Sequence, residues 1–238
     1  MSSAFSGFPP EGLRFLRGLA RNNRREWFQP RKPLFEEHVK QPMRRLVEAL
    51  NAAMRNFAPE YLTDPDKAIY RIYRDTRFSE DKTPYKDHIA ASFPCRRLAG
   101  LGAAGYYVAV SHKEVAIGGG VYRPCPETLL AMRGHIAARH AEFRRLMRSR
   151  GLRRLFGELD GEQLSRVPKG FCADHPAADL LRFKQYLFYI ELAPDLAATP
   201  ALYTEALARF RAMAPFIDFL NAPLARQKTK IDPRELFA

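Results

Sequence analysis

The chain reads as a single α+β domain over residues 1–238, a mainly antiparallel sheet covered by amphipathic helices, and three observations predict it. Apolar residues recur at helical spacing along several stretches, β-rich runs follow one another across short links, and no repeat, low-complexity tract or linker divides the 238 residues. With 46% hydrophobic and 12% aromatic residues, the chain can bury a sizeable core.

The elements follow in order. Pro9, Pro10 and Glu11 suit the first turn of a helix whose Leu13, Leu16 and Leu19 share one face. In the run NNRREWF at residues 22–28, Asn22 or Asn23 is placed to cap a new turn, anchored by Trp27. Phe35, Val39, Met43, Leu46, Leu50 and Met54 step by three and four, the apolar stripe of a long helix. Pro42 lies inside it, lacks a backbone donor and predicts a kink or a division into two helices. Residues 67–73 read as a strand, 89–93 as another, and the charged stretch between them as an unusually long connection. Residues 104–111 and 114–117 form a hairpin around His112 and Lys113. Gly118, Gly119 and Gly120 then serve either as a bulge or tight strand exit or as backbone presented to a ligand.

Pro126 and Glu127 open a helix striped by Leu129, Met132, Ile136, Phe143 and Met147. A short helix at 180–183, a strand at 185–192 and a last helix carrying Tyr203, Ala206, Phe210, Met213, Ile217 and Leu220 complete the fold. Residues 221–238 read as a polar, proline-containing tail.

Composition excludes several classes. The longest apolar runs are broken by charge well short of a membrane span, and the N-terminus lacks the basic start and apolar core of a signal peptide, so a soluble, cytoplasmic protein with no membrane partner is expected. Cys95, Cys125 and Cys172 stand far apart, which suggests neither a zinc site nor a disulfide framework but buried thiols. The net charge of +13 sits in two places: ten basic residues against three acidic ones at 14–45, and eight arginines against Glu142 at 133–154. Arg139, Arg144, Arg145 and Arg148 could follow a phosphate backbone, but no basic-aromatic interleaving or nucleic-acid motif accompanies them. Contact with nucleic acid or an acidic partner is therefore the alternative reading.

Residues 71–86, RIYRDTRFSEDKTPYK, concentrate the chemistry. Arg74, Arg77, Lys82 and Lys86 face Asp75, Glu80, Asp81 and the following Asp87, a balance that predicts internal ion pairs with only some cations left over. If this loop, the glycine run and the Lys169-Gly170 turn of PKGF converge, they form a cleft of ammonium and guanidinium donors with Tyr85 and Tyr122 as aromatic walls. Such a cleft suits a small phosphorylated or carboxylated ligand, since Arg binds these groups bidentately and Lys supplies a point charge. The candidate ligand residues are Arg74, Asp75, Arg77, Asp81, Lys82, Tyr85, Lys86, Gly119, Tyr122 and Lys169. An enzyme could use the same cleft with Asp75 or Asp81 as base and Arg77 or Lys86 stabilising negative charge, but no nucleophile elbow, metal-ligand cluster or cofactor fingerprint assigns a reaction, a catalytic residue or a cofactor. Asp174 beside His175 reads either as an oriented imidazole or as a turn.

The ordered runs NNRREWF at 22–28, RDTRFSEDKTPYK at 74–86, GGGVYRP at 118–124, the single Arg133, and PKGF with DHP at 168–176 resemble the motifs of the bacterial and fungal domain of unknown function 2461 family. The resemblance spans nearly the whole chain and matches Arg74, Asp75, Arg77, Phe78, Asp81, Lys82, Pro84, Tyr85 and Lys86 of the central run. It implies a small intracellular protein of unassigned function, and it adds Arg133 to the candidate ligand residues.

Overall fold

The structure, a computed structural model, describes residues 5–77 and 79–230, the side chains of 226–230 excepted. The fold is α+β, with one antiparallel sheet in the order β1 (His88–Phe93), β2 (Gly105–Ser111), β3 (Val115–Val121), β4 (Tyr186–Leu192). Among the described residues the α-helices before the sheet are α1 (Pro10–Arg21), α2 (Arg25–Phe28), α3 (Lys32–Phe35), α4 (Gln41–Met54) and α5 (Pro65–Ala68). Between β3 and β4 lie α6 (Pro126–Ala138), α7 (His140–Met147), α8 (Arg150–Phe156) and α9 (Ala178–Leu181), and α10 (Ala201–Lys230) follows the sheet. Among the described residues no helix is long and apolar enough to cross a membrane.

The chain divides into two compact units, neither of them a continuous stretch. The first takes the described part of Met1–Phe93 with Tyr107–Ile117 and Ile190–Ala208; the second takes Pro94–Tyr106, Gly118–Tyr189 and the described part of Arg209–Ala238. Strands β2, β3 and β4 and helix α10 each pass from one unit into the other.

In the first unit the expected stripe is the core: Val39, Met43, Leu46, Leu50 and Met54 are completely buried, as are Leu16 and Leu19 of α1. The division predicted at Pro42 occurs just before it, where Glu36–Lys40 forms a π-helical turn between α3 and α4. Pro42 has no N–H to offer the His38 carbonyl four residues back. That carbonyl instead meets α1, where a Cβ on Gly12 would lie 2.1 Å from it, so only glycine lets the two segments approach.

Residues 67–73 are not a regular strand. Lys67 and Ala68 belong to α5, and the stretch beyond touches its neighbour at two isolated bridges, Ile69 to Ala91 and Tyr73 to Tyr85. Asn22 and Asn23 do not cap α2, whose N-cap is Arg24 without a side-chain cap bond. Asn22 closes α1 by donating to the Gly18 carbonyl at 2.9 Å. Trp27 does anchor the turn, its ring packed on Phe15 at 5.5 Å.

The second unit has its own aromatic core, with Phe143 stacked on Phe216 at 5.8 Å and edge-on to Tyr186 at 5.9 Å. The helix expected to run through Phe143 and Met147 breaks at Arg139, which separates α6 from α7. Gly118–Gly120 is strand rather than strand exit: all three residues belong to β3. A Cβ on Gly118 would meet the Phe188 carbonyl oxygen at 2.8 Å, and one on Gly119 the Met213 sulfur at 2.9 Å. The tail also needs correction, because residues 221–230 continue α10. Asn221 is buried, donates to Ala104 O and accepts from Ala104 N, each at 2.9 Å. Residues 231–238 of that expected tail lie outside the described residues. Of the three cysteines only Cys95 is buried; Cys125 and Cys172 are exposed, and all three are free thiols.

Candidate functional site

The charged stretch is a loop closed at its neck by backbone pairing. Arg74 N donates to Pro84 O at 2.9 Å and Lys86 N to Ile72 O at 2.8 Å. Residues 22–28 hold the far end of that neck. The Asn23 side chain donates to Tyr85 O at 2.8 Å and accepts from Tyr85 N at 3.0 Å, replacing a strand neighbour with one amide. Phe28 stacks on the Tyr85 ring at 4.2 Å, and Tyr73 packs on Tyr85 at 5.4 Å. Tyr85 is 1% exposed, and burial pushes its phenol pKa up.

Inside the loop most cations are taken. Asp75 accepts from Arg77 through both carboxylate oxygens, Nε at 3.0 Å and Nη2 at 2.8 Å. Asp81 accepts from the Thr83 N–H at 2.9 Å and pairs with Arg74, which also donates to Thr83 Oγ1 at 2.6 Å. Lys82 donates to Thr76 O at 3.0 Å. Phe78 lies outside the described residues. These bonds lower both acids from 3.8 to about 2, for Asp75 chiefly through the Arg77 side chain and for Asp81 chiefly through the Thr83 N–H, then Arg74. A carboxylate held so low is a weak base near neutral pH, which speaks against either as a general base.

The sign of the pH effect follows. A folded-state pKa below the unfolded value stabilises above pH 3.8, and that contribution is lost as pH falls through about 2. Carboxyl carbon titration by NMR is expected to give midpoints near 2 for Asp75 and Asp81. Arg77→Ala should return Asp75 toward 3.8 and leave Asp81 unchanged; an unsubstituted Asp75 titrating at 3.8 would contradict the pairing.

Two cations at the neck have no such partner. Among the described residues no carboxylate forms a close ion pair with Arg71 or Lys86, although the charge of Arg71 reaches Asp75 and helps to lower its pKa. Lys86 Nζ sits 5.1 Å from the centre of the Tyr70 ring, and its pKa is lowered first by burial and then by the charge of Arg71. Arg71 lines a cavity of about 360 Å³. Its lining comes from α3 and the π-turn, with Phe35, Lys32, Glu36 and Lys40, and from the extended stretch Ile69 to Tyr73. Lys40 pairs with Glu36 at 3.1 Å, and the lining Asp66 pairs with Arg44 outside the cavity, so Lys32 joins Arg71 as a lining cation without a carboxylate among the described residues.

The site residues expected from the sequence fall in both units. Arg74, Asp75, Arg77, Asp81, Lys82, Tyr85 and Lys86 share one loop in the first unit, whereas Gly119, Tyr122, Arg133 and Lys169 belong to the second. Gly119 is buried and spent on packing. Tyr122 is 63% exposed beneath the Arg123 guanidinium, and Lys169 is an exposed turn residue. Arg133 is buried, donates to Phe183 O at 2.7 Å and hydrogen-bonds the Tyr186 phenol, itself bound to Leu180 O at 3.0 Å. It thereby places a cation at the Phe183 carbonyl, just past the end of α9, while Tyr186 takes the Leu180 carbonyl. Burial pushes Tyr186 up to about 12. His175 Nδ1 accepts from the Ala177 N–H at 3.0 Å, which makes the Asp-His pair a turn. Among the described residues no group of His, Cys, Asp and Glu is placed to hold a metal ion.

The cavity cations Arg71 and Lys32 escape a sequence reading. Arg71 falls in a β-like run and Lys32 in a run of basic residues, and only the fold joins them. No curated protein and no solved structure matches the chain. The sequence model of the conserved hypothetical protein family DUF2461 matches residues 11–219, nearly the whole chain, and the protein belongs to that family.

Proposed function

We propose that the protein binds a small carboxylated or phosphorylated ligand in the groove at the neck of the charged loop, anchored by Arg71 with Lys32 lining the same cavity. One observation carries the reading: the loop cations Arg74, Arg77 and Lys82 are engaged within the loop, while Arg71 and Lys32 line a cavity without carboxylate partners among the described residues. Lys86 adds support, because an anion beside Arg71 would relieve the repulsion that lowers the lysine's pKa. Binding is then expected to take up protons near the titration range of Lys86. The weak basicity of Asp75 and Asp81 gives no reason to assign a reaction.

A second reading has its own observation. Arg145, Arg148, Arg150 and Arg154 on and beside α7 and α8 are exposed and lack carboxylate partners among the described residues, whereas Arg139, Arg144 and Arg153 are paired with Glu142, Asp179 and Glu158. Such a face suits nucleic acid or an acidic partner.

Calorimetric titration with small carboxylates, phosphates and a short DNA duplex separates the two. The groove reading predicts small-anion binding weakened at least about tenfold by Arg71→Ala, the loss of a charged hydrogen-bonding partner, and within about twofold of the parent in Arg77→Ala. Duplex binding with a steep salt dependence, indifferent to Arg71→Ala and without any small-anion binding, would overturn it.

A further inference from the structure

Along residues 69–74 the backbone hydrogen bonds alternate. Tyr70 N–H donates to Ala90 O at 2.9 Å, Ile72 O accepts from Lys86 N–H at 2.8 Å, and Arg74 N–H donates to Pro84 O at 2.9 Å. Tyr70, Ile72 and Arg74 thus turn toward β1 and the residues that lead into it. In extended backbone the polar groups of successive residues point to opposite edges, so those of Arg71 and Tyr73 face away from β1. Neither residue's N–H or C=O has a hydrogen-bond partner among the described residues.

The cavity lies against that outward edge. Every residue from 69 to 73 lines it. Side chains alternate between the two faces of a strand, so a cavity over one face would take every second residue, and an unbroken run meets the strand edge-on. An unpaired edge is a template for another extended chain, joined main chain to main chain whatever its side chains. At about 360 Å³ the cavity is near the small end of ligand sites, which suits the end of a chain rather than a length of one. α3 and the π-turn line it as well, so this edge is not open to the whole sheet of a second copy. A chain end brings its own carboxylate, and Arg71 and Lys32 line the cavity without close carboxylate partners among the described residues, while Glu36 and Asp66 are bridged by Lys40 and Arg44.

Resting on the anion reading of this groove, we propose that its ligand is the C-terminal end of an extended peptide. The peptide backbone pairs with the outward N–H and C=O groups of Arg71 and Tyr73 as an added strand, and its terminal carboxylate lies with the Arg71 guanidinium and the Lys32 ammonium group.

The test is an NMR titration of the full chain near pH 7 with acetate, with N-acetyl-trialanine carrying a free carboxylate, and with N-acetyl-Ala-Glu-Ala amide, whose carboxylate is on a side chain. N-acetyl-trialanine is expected to bind at least about tenfold tighter than either, and Arg71→Ala should weaken it at least about tenfold. At saturation, hydrogen exchange should slow at the Arg71 and Tyr73 amides and change far less at Tyr70 and Arg74, whose N–H groups are already bonded. Acetate binding as tightly as N-acetyl-trialanine, and lost in Arg71→Ala, would overturn the peptide and leave the anion site standing. Equal binding of the amide would overturn the C-terminal carboxylate. Peptide binding with unchanged exchange at Arg71 and Tyr73 would overturn the strand pairing. Exchange at these two amides that slows with protein concentration alone would overturn the peptide in favour of a second copy. If none of the three binds, the peptide proposal and the anion reading fall together.

Discussion

Gly120→Ala is expected to destabilise the protein by about 4 kcal/mol, a large part of the roughly 5–15 kcal/mol that holds a typical domain together. Two costs coincide at this position. Its φ of +127° is a conformation that side-chain-bearing residues rarely adopt, and a Cβ there would lie 2.1 Å from the Tyr186 carbonyl oxygen on neighbouring β4. The obstacle is backbone in a paired strand, which cannot rotate aside as a side-chain tip would. Urea unfolding measures the effect, and Gly134→Ala supplies the control. Gly134 lies within α6 with nothing near its missing Cβ, so alanine there should stabilise by about 0.5–1 kcal/mol through helix propensity. Equal and small effects at both positions would show that β3 and β4 do not approach as described.

Tyr85→Ala comes second, with an expected loss of about 3–5 kcal/mol, the range for removing a large buried aromatic side chain. The ring is nearly completely buried, stacked on Phe28 and packed against Tyr73, so its removal opens a cavity under the neck of the charged loop. Tyr85→Phe should be far milder, since the stacking stays and only the bond with Gln29 is lost. The consequence for the site is specific. Asn23 binds the Tyr85 backbone, which alanine retains, so the loop should stay tethered while Tyr73 and the groove wall loosen. Hydrogen exchange should therefore rise at residues 70–74 in Tyr85→Ala before it rises at the amide of position 85, whose N–H the Asn23 side chain accepts. Exchange rising equally along the first unit would indicate global destabilisation instead.

These two residues also show which parts of the molecule are legible in the chain. The stripe from Phe35 to Met54 depends on spacing alone, and every expected member is buried. Glycines 118–120 carry no such pattern. They read as a bulge or strand exit, or as backbone facing a ligand, because glycine permits these, and their real cause, the close approach of Phe188, Met213 and Tyr186, comes from residues distant in sequence. Asn23 misleads in the same way: an Asn before a helical turn suggests a cap, yet its amide is claimed by Tyr85, 62 positions on. The continuation of α10 past 221 is legible in the sequence. Leu224 stands four residues after Leu220 and is 1% exposed, so the stripe of α10 continues past the polar residues and Pro223 that seem to end it.

The charged loop divides along the same line. Its neutrality is countable in the sequence and agrees with pairs such as Arg77 to Asp75 and Arg74 to Asp81. Which cation lies outside those pairs is not countable, because Arg71 gains its meaning from Lys32 and Glu36 across a cavity that only the folded chain creates.

NMR of arginine side chains tests this distinction most directly. With the Nε–Hε signals assigned by Arg→Lys substitution, titration with a small carboxylate should shift the Arg71 signal saturably and leave Arg74 and Arg77 near their starting positions. Saturable shifts at Arg74 or Arg77, with Arg71 unmoved, would contradict the account and return the ligand to the interior of the loop.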